Sequence, residues 1–285
     1  MNRLKKKFML FLIPLLVFQV LVYAIPIGST ICSAFTNTVG PTAGQFTMTG
    51  NFKRVADDLL PIILRTLVWT FGSILPAMVI GLGAAYFFRR KFFGQKLCIS
   101  ICLIPYTIPL IIVAACWYFM FQPNFGLLNT IFQKLNITQE SFQFFTKDRA
   151  MISVIIARIW RSMPFAFLSF YAAIREIPQE HYEAASIDGA GEWKQFLYIT
   201  LPQLRPVALS TGIILTVWTF LVFDIISALT GGGPGTTTTI LPIAIYREMF
   251  AMHDAGAASA LSLISITIMS ILTVLYWRVM ERENT

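Results

Sequence analysis

The stretch EAASIDGAGEWKQFLYITLP, residues 183–202, is polar and broken by glycines, in the middle of a chain that is otherwise rich in apolar residues. Of the 285 residues, 56% are hydrophobic and only 13% are charged, and the mean hydropathy is +0.69. This composition lies outside the range of soluble globular domains and is typical of a protein embedded in a bilayer. The fold therefore depends on the apolar segments on either side of this polar stretch.

Six apolar segments are long enough to cross a bilayer, because a spanning helix needs about 20 residues at a rise of about 1.5 Å each. We expect an all-α membrane protein with six transmembrane helices in a single transmembrane domain, residues 1–285. The predicted spans cover about 8–27, 63–88, 97–121, 152–174, 207–229 and 257–277. The external loops, about 28–62 and 122–151, are too short for a separate domain.

The first apolar segment follows a basic N-terminus and lacks a clear small-x-small cleavage site, so we interpret it as an uncleaved anchor rather than a signal peptide. With the N-terminus inside, 13 Lys and Arg residues fall in cytoplasmic segments and 6 in external ones. This bias predicts that both termini are cytoplasmic. It also accounts for the net charge of +8 without a nucleic-acid partner.

Cysteines and histidines give no pattern for metal binding. Cys98 and Cys102 share a helix face, but no His or acidic residue joins them, and His181 and His253 are isolated in loops. We therefore expect no bound metal or other cofactor.

Two prolines in one turn, Pro105 and Pro109 of LIPYTIPLII, each remove a backbone hydrogen bond from the third predicted span. Such helices bend, and a bilayer protein tolerates the bend where neighbouring groups satisfy the freed backbone. We expect a broken or bent helix at this point.

The connection 175–206 between the fourth and fifth spans is too polar to cross the membrane, yet it is patterned. Pro178 suits the start of a helix, and Gly189 suits a left-handed cap at its end. A second short helix over about 191–199 follows. We predict a helix-turn-helix on the cytoplasmic face, which serves either as a docking surface for a partner or as an interfacial connection between two spans.

The same stretch is identified as the signature of binding-protein-dependent ABC importer permeases: EAA, three residues, G, nine residues, I, any residue, LP. It is complete here at Glu183, Ala184, Ala185, Gly189, Ile199, Leu201 and Pro202, and Asp188 and Ala190 complete a DGA version typical of carbohydrate-uptake permeases. LIPYTIPLIIVAACW, IWRSMPFAFL and FDIISALTGGGPGTTTT resemble the same subtype. Arg65 departs from it, since an Asn is expected before the Thr.

The resemblance implies a multi-pass permease subunit of the cell membrane that forms a heterodimer with a sibling permease. Two ABC ATPase subunits and an extracellular solute-binding protein would complete the importer, and the hairpin would be the coupling helix that fits a groove on the ATPase. The implied ATPase-coupling residues are Glu183, Ala184, Ala185, Asp188, Gly189 and Ala190.

Two arginines, Arg158 and Arg161, lie three residues apart on one face of the fourth predicted span. A charge within the membrane is costly, so it should face the bundle and find a partner. Asp224 in the fifth span is the obvious partner for Arg161, either as a structural pair or in the substrate path, whereas Arg158 is expected to reach toward the outer interface. Aromatic residues of a sugar path would include Trp117, Trp160 and Trp218, although most aromatic residues pack or lie at interfaces.

The chain is not expected to be an enzyme. Its one glycine-rich run, TGGGPGTTTT at 230–239, lacks the lysine of a phosphate-binding loop and is expected to be a flexible external turn. We therefore expect import of a sugar or sugar-like solute, with ATP hydrolysis in partner subunits. Glycerol 3-phosphate or another polyol phosphate is the alternative solute, and an ion-driven secondary transporter or an intramembrane enzyme is a weaker alternative.

Overall fold

The computed structural model describes residues 12–39, 44–138 and 140–283, and the regular elements within them are helices, with no β-strand. Residues 8–11 of the first predicted span and the N-terminal basic residues Arg3, Lys5, Lys6 and Lys7 lie outside the described residues. Thr36 and Phe46 form an isolated antiparallel bridge.

The helices follow one another along the chain with short connections. They are α1 (Leu12–Ala34), α2 (Gly50–Phe87), α3 (Gln95–Thr107), α4 (Leu110–Met120), α5 (Leu127–Lys134), α6 (Ala150–Glu176), α7 (Gln179–Ile187), α8 (Glu192–Gln195), α9 (Leu201–Gln203), α10 (Arg205–Phe220), α11 (Asp224–Leu229), α12 (Leu241–Tyr246) and α13 (Ala255–Glu283). Short π-helical turns follow α8 and α12, at Phe196–Thr200 and Arg247–Ala251.

Within the described residues, four helices are long and apolar enough to cross a membrane: α1, α2, α6 and α13. The α3–α4 pair makes a fifth span if it counts as one. The predicted fifth segment, 207–229, is not one helix, because α10 has 16 residues and ends at Phe220 before a break and the short α11. At about 1.5 Å per residue, α10 is about 24 Å long, shorter than the hydrocarbon core.

The second span begins earlier than predicted. Helix α2 has 38 residues and starts at Gly50, so that residues 50–62 of the predicted external loop 28–62 belong to it, including the polar segment 51–58. The sequence prediction missed this part because hydropathy locates only the residues that suit hydrocarbon, whereas a helix can continue through polar residues beyond it.

The bend predicted at Pro105 and Pro109 is confirmed. Helices α3 and α4 meet at an angle of 101°, and Ile108 and Pro109 between them have extended backbone angles, with ψ of 133° and 141°. The residue before a proline is pushed out of the helical region, so the sequence dictates the break locally.

The described residues divide into two compact units, of which the first comprises those up to Pro61 together with Ala244–Ile268. Buried Asn51 donates its amide to the carbonyls of Ser33, Ala34 and Thr36, at 2.8–3.2 Å. These bonds hold the start of α2 against the end of α1 and satisfy carbonyls that a helix end leaves free.

Asp254 is the second polar centre of this unit. Its carboxylate accepts hydrogen bonds from Arg54 at 2.6 Å and from the Thr38 hydroxyl and the Ala257 backbone N–H, each at 2.9 Å. Burial by itself raises the pKa of Asp254, but the bonds from Ala257, Arg54 and Thr38 favour the carboxylate, and the pKa lies below its ordinary value.

The second unit comprises Ile62–Ile243 and Met269–Thr285, and it holds two hydrophobic clusters. One gathers around Trp69, Trp117 and Phe121, and the other around Phe167, Phe170 and Leu215. Helix α2 comes very close to α6 at Gly81, where an added Cβ would lie 2.8 Å from the Ala166 Cβ and the Phe167 backbone nitrogen. The clusters and this close approach make α6 the central helix of the unit.

Candidate functional site

The polar stretch forms a helical hairpin, defined here as residues 178–204. Pro178 caps α7, and Gly189 has a φ of +77°, as predicted for a left-handed cap. The N–H of Ala190 donates to the carbonyl of Ala185 at 2.8 Å, and that of Gly189 to Ser186 at 3.1 Å. These are the two bonds of a Schellman motif, in which glycine avoids the clash that a Cβ causes at positive φ.

The outer surface of the hairpin is exposed and partly apolar. Glu183, Ala184, Asp188 and Gly189 are exposed and Ala185 and Ala190 are half-buried. The side chains of Ile187 and Trp193 are 88% and 70% exposed on a polar segment. Apolar residues that stand out beside small ones mark a surface for contact with another molecule.

On the inner side of the hairpin, hydrogen bonds join α7 to the segment that follows the turn. Gln195, only 8% exposed, donates its amide to the Ser186 hydroxyl at 2.9 Å and to the Ala190 carbonyl at 3.1 Å. The hydroxyls of Tyr182 and Thr200 are 2.9 Å apart. These contacts fix the two helices relative to each other, so the hairpin can move as one piece.

The hairpin is attached to the end of α2 through Tyr86, Arg90 and Glu192, which the sequence interpretation did not single out, and through Phe196, which it named as an anchor. Glu192 pairs with Arg90, and its backbone carbonyl accepts a hydrogen bond from the Tyr86 hydroxyl at 3.0 Å. The ring of Tyr86 meets that of Phe196 edge-on, with centroids 4.8 Å apart, and the Arg89 guanidinium lies 4.0 Å from the centroid of the Tyr86 ring. Only the fold brings residues about 100 positions apart into this contact.

A cavity of about 400 Å³ opens between α3, α6 and α10. Its walls are apolar except for two arginines, a serine and a tyrosine, and its size is in the range of small-molecule sites. The lining residues are Tyr106, Leu110, Arg158, Arg161, Ser162, Phe165, Leu215, Val217, Trp218, Leu221 and Val222.

Arg158 and Arg161 both face this cavity. The Arg158 side chain is held by the Thr219 hydroxyl, which accepts from Nε at 3.2 Å and from Nη2 at 2.9 Å. The guanidinium of Arg161 lies 4.7 Å from the centroid of the Tyr106 ring, and its buried Nε has no hydrogen-bond partner. The expectation that Arg158 reaches the outer interface is wrong, because this residue is only 6% exposed.

Asp224 does not pair with Arg161. It is exposed at the start of α11, and among the described residues no Asp or Glu forms an ion pair with Arg158 or Arg161. The prediction assumed one continuous helix through 207–229, whereas one helix ends at Phe220 and a separate one begins at Asp224.

The three tryptophans predicted for a solute path separate into two places. Trp218 lines the cavity beside Phe165, with ring centroids 4.9 Å apart. Trp117 and Trp160 instead meet edge-on at 6.0 Å within a packed hydrophobic cluster. Residues that the sequence interpretation missed at the cavity are Tyr106, Ser162 and Phe165, whose residue types carry no signal by themselves.

The glycine-rich run 230–239, predicted to be a flexible external turn, forms a loop whose threonine hydroxyls make hydrogen bonds within it. The hydroxyls of Thr230 and Thr238 are 2.7 Å apart, and Thr239 donates to the Gly232 carbonyl at 3.0 Å. Gly231, Gly232 and Gly235 have positive φ. The threonine hydroxyls satisfy the backbone of a segment that glycine alone would leave loose.

The chain has relatives among known proteins. Residues 77–282 match the family described as binding-protein-dependent transport system inner membrane component. A trehalose/maltose transport system permease protein of Thermococcus litoralis is 35% identical over 75% of this chain and 72% of its own length. An sn-glycerol-3-phosphate transport system permease protein of Yersinia pestis is 32% identical over 85% of this chain and 82% of its own length.

The fold is also found in solved structures. A chain of a bacterial ABC transporter involved in the import of the acidic polysaccharide alginate superposes with a TM-score of 0.85, at 20% identity over 99% of this chain and 98% of that chain.

Proposed function

Because this chain belongs to the family of binding-protein-dependent transport system inner membrane components, we propose that it is the permease subunit of an ABC importer for a sugar or sugar-like solute. The observation that carries the proposal is the hairpin 178–204, a rigid element with an exposed outer surface and a firm attachment to a long apolar helix. The relatives named above give the class of solute.

The proposed topology has six spans in one transmembrane domain, residues 1–285, with both termini and the hairpin in the cytoplasm. The four long helices, the bent α3–α4 pair and α10 would supply the six. The excess of Lys and Arg in the segments on the hairpin side supports this orientation. In this arrangement the chain is a multi-pass protein of the cytoplasmic membrane.

The proposed partners are a sibling permease, two ABC ATPase subunits and an extracellular solute-binding protein. ATP would be hydrolysed in the ATPase subunits, and the outer surface of α7 would dock on one of them through Glu183, Ala184, Ala185, Asp188, Gly189 and Ala190. Small side chains at the docked surface allow close approach of a partner's surface. No bound cofactor is part of the proposal.

Movement of the docked hairpin would pass to the membrane helices through the contacts at Glu192. Because the hairpin is held together by Gln195 and tied to Tyr86 and Arg90 at the end of α2, displacement by an ATPase would pull on α2 directly. A change between inward-facing and outward-facing states then follows from the different affinities of the ATPases for ATP in the two states.

The proposed solute path includes the cavity lined by Arg161 and Trp218. Asp224, Trp117 and Trp160 do not line this cavity. They belong to the proposed path only in a conformation that brings them to it. Glycerol 3-phosphate or another polyol phosphate is the alternative solute, since the Yersinia pestis relative is a glycerol-3-phosphate permease.

Uptake in proteoliposomes tests the proposal. The chain would be reconstituted with its candidate sibling, ATPase subunits and binding protein, and uptake of a panel of sugars and glycerol 3-phosphate would be measured. We expect uptake that requires ATP and persists when ion gradients are collapsed. Uptake by this chain alone, driven by an ion gradient, would instead identify a secondary transporter and refute the proposal.

A second experiment tests the hairpin itself. Gly189→Asp places a charged side chain on the surface proposed to dock, at a φ of +77°, which disfavours L-residues although Asp tolerates it better than most. We expect it to abolish ATP-driven uptake while insertion into the membrane is normal. Gly191→Asp is the matched control, because Gly191 has a φ of −66° and equally open surroundings. Normal uptake by the Gly189→Asp protein would contradict a coupling role.

A further inference from the structure

The cavity between α3, α6 and α10 carries two positive charges that the described residues leave uncompensated. Arg158 is 6% exposed and its hydrogen-bond partner is the neutral Thr219. Arg161 rests on the Tyr106 ring with its Nε unpartnered. A buried charge is retained at high cost unless something of opposite sign pairs with it.

The two arginines lie well inside α6 rather than at either of its ends. Helix α6 starts at Ala150 and has 27 residues. At a rise of about 1.5 Å per residue, Arg158 lies about 12 Å and Arg161 about 17 Å from that end, near the middle of the helix. A charge at such a position in a span faces the bundle interior or a cavity and is kept for a partner or a function.

The chemistry of the lining fits one kind of group. Two guanidinium groups that face the same space favour the oxygens of a planar carboxylate or a tetrahedral phosphate, because each guanidinium can donate two parallel hydrogen bonds to them. The Ser162 hydroxyl adds a neutral polar group, and the rings of Tyr106, Phe165 and Trp218 provide apolar surface for the carbon skeleton of the same molecule.

We propose that this cavity binds the oxyanion group of an acidic solute, the carboxylate of a uronic acid or the phosphate of a polyol phosphate, between Arg158 and Arg161. The inference rests on the proposed function and narrows it: the transported solute is negatively charged. Arg161 is the group that contacts the solute directly, because it is only half-buried at the cavity, whereas Arg158 is 6% exposed and is already bonded to Thr219.

The test compares charged solutes with their neutral counterparts in the assembled transporter. ATP-dependent uptake would be measured for glucuronate against glucose and for glycerol 3-phosphate against glycerol, which separates a carboxylate from a phosphate ligand. We expect uptake of one charged member to exceed that of its neutral counterpart by at least about tenfold, the value of one charge-assisted hydrogen bond.

Variants of Arg161 show whether the preference for a charged solute arises in this cavity or in the binding protein. Among complexes that assemble as wild type does, Arg161→Gln should lower uptake of the charged solute by about tenfold to a hundredfold, and Arg161→Lys should give an intermediate rate. Arg278→Gln removes a positive charge at an exposed position of α13 and should behave as wild type.

If Arg161→Gln does not assemble, thermal unfolding of the wild-type complex without the binding protein replaces it. The charged solute should raise the midpoint and its neutral counterpart should not. Equal shifts, or no shift with either solute, would overturn the inference.

The outcomes separate this inference from the proposed function. ATP-dependent uptake of neutral sugars alone, or unchanged uptake of the charged solute by Arg161→Gln, refutes the anion site and leaves the importer intact. An assembled complex that shows no ATP-dependent uptake of any solute refutes the proposed function and the inference together.

Discussion

Replacing Gly81 and Gly83 separately by alanine measures how closely α2 approaches α6. Both glycines lie in α2, so each Gly→Ala change gains the same helix propensity, about 1 kcal/mol. They differ in their surroundings. A Cβ at Gly81 would lie 2.8 Å from the Ala166 Cβ and the Phe167 backbone nitrogen, whereas a Cβ at Gly83 would meet nothing within 4 Å.

The propensity gain cancels in the comparison, so the difference between the two variants is the cost of overpacking alone. Inserting a methyl group into a closely packed contact costs about 1–3 kcal/mol, and here the obstructing atoms include backbone, which cannot rotate away. Gly83→Ala should therefore be neutral or stabilised by up to about 1 kcal/mol. Gly81→Ala should be less stable than Gly83→Ala by about 1–3 kcal/mol.

Unfolding by titration with a denaturing detergent in mixed micelles gives the two free energies. The proteins should be equally abundant in the membrane fraction, which controls for insertion. Free energies of unfolding that agree within about 0.5 kcal/mol, the range of ordinary surface substitutions, would refute the close approach of the two helices.

The remaining predictions concern polar contacts. The carboxyl of Asp254 has a lowered pKa, so its contribution to stability is present above the pKa of an unfolded aspartate and is lost as the pH falls through the folded value. Asp254→Asn should then cost about 1–3 kcal/mol at pH 7 and progressively less below about pH 4, as measured by thermal unfolding across pH. The control is Asp58→Asn at an exposed position, which should change stability at pH 7 by no more than about 0.5 kcal/mol. Glu192→Arg should lower solute uptake per ATP hydrolysed by up to about fivefold, since an exposed ion pair contributes at most about 1 kcal/mol. Adding Arg90→Glu should restore it, and a double variant as poor as the single one would exclude a role for this pair.

Local features were predictable from the sequence because their causes are local. The helix breaks at Ile108 because Pro109 pushes the residue before it out of the helical region, whereas Pro105 lies inside α3. Gly189 can adopt a positive φ without a Cβ clash. The break after Phe220 was not predictable, because residues 221–223, Leu-Val-Phe, contain neither glycine nor proline. Apolar residues through this break gave the hydropathy of a continuous span.

The positions of Arg158 and Arg161 on their helix were predictable from the sequence, but their contacts were not. The sequence placed Arg158 and Arg161 on one face of a helix, since a spacing of three residues is nearly one turn. It could not give the partner of either residue. Thr219 and Tyr106 come from different helices, 61 positions after Arg158 and 55 before Arg161, so that neither contact leaves a trace in the local pattern.

The sequence by itself determined that this protein is a helical membrane protein of the permease family, because hydropathy, proline and glycine act over a few residues and the motif at 183–202 is contiguous. Tertiary structure alone decided how the hairpin is attached to α2 and that Arg158 and Arg161 share a cavity without a carboxylate among the described residues. The physical reason is the short range of these interactions, since side-chain hydrogen bonds and ion pairs act over about 3–4 Å. The residues that they join are brought together by the fold and can lie at any separation along the chain.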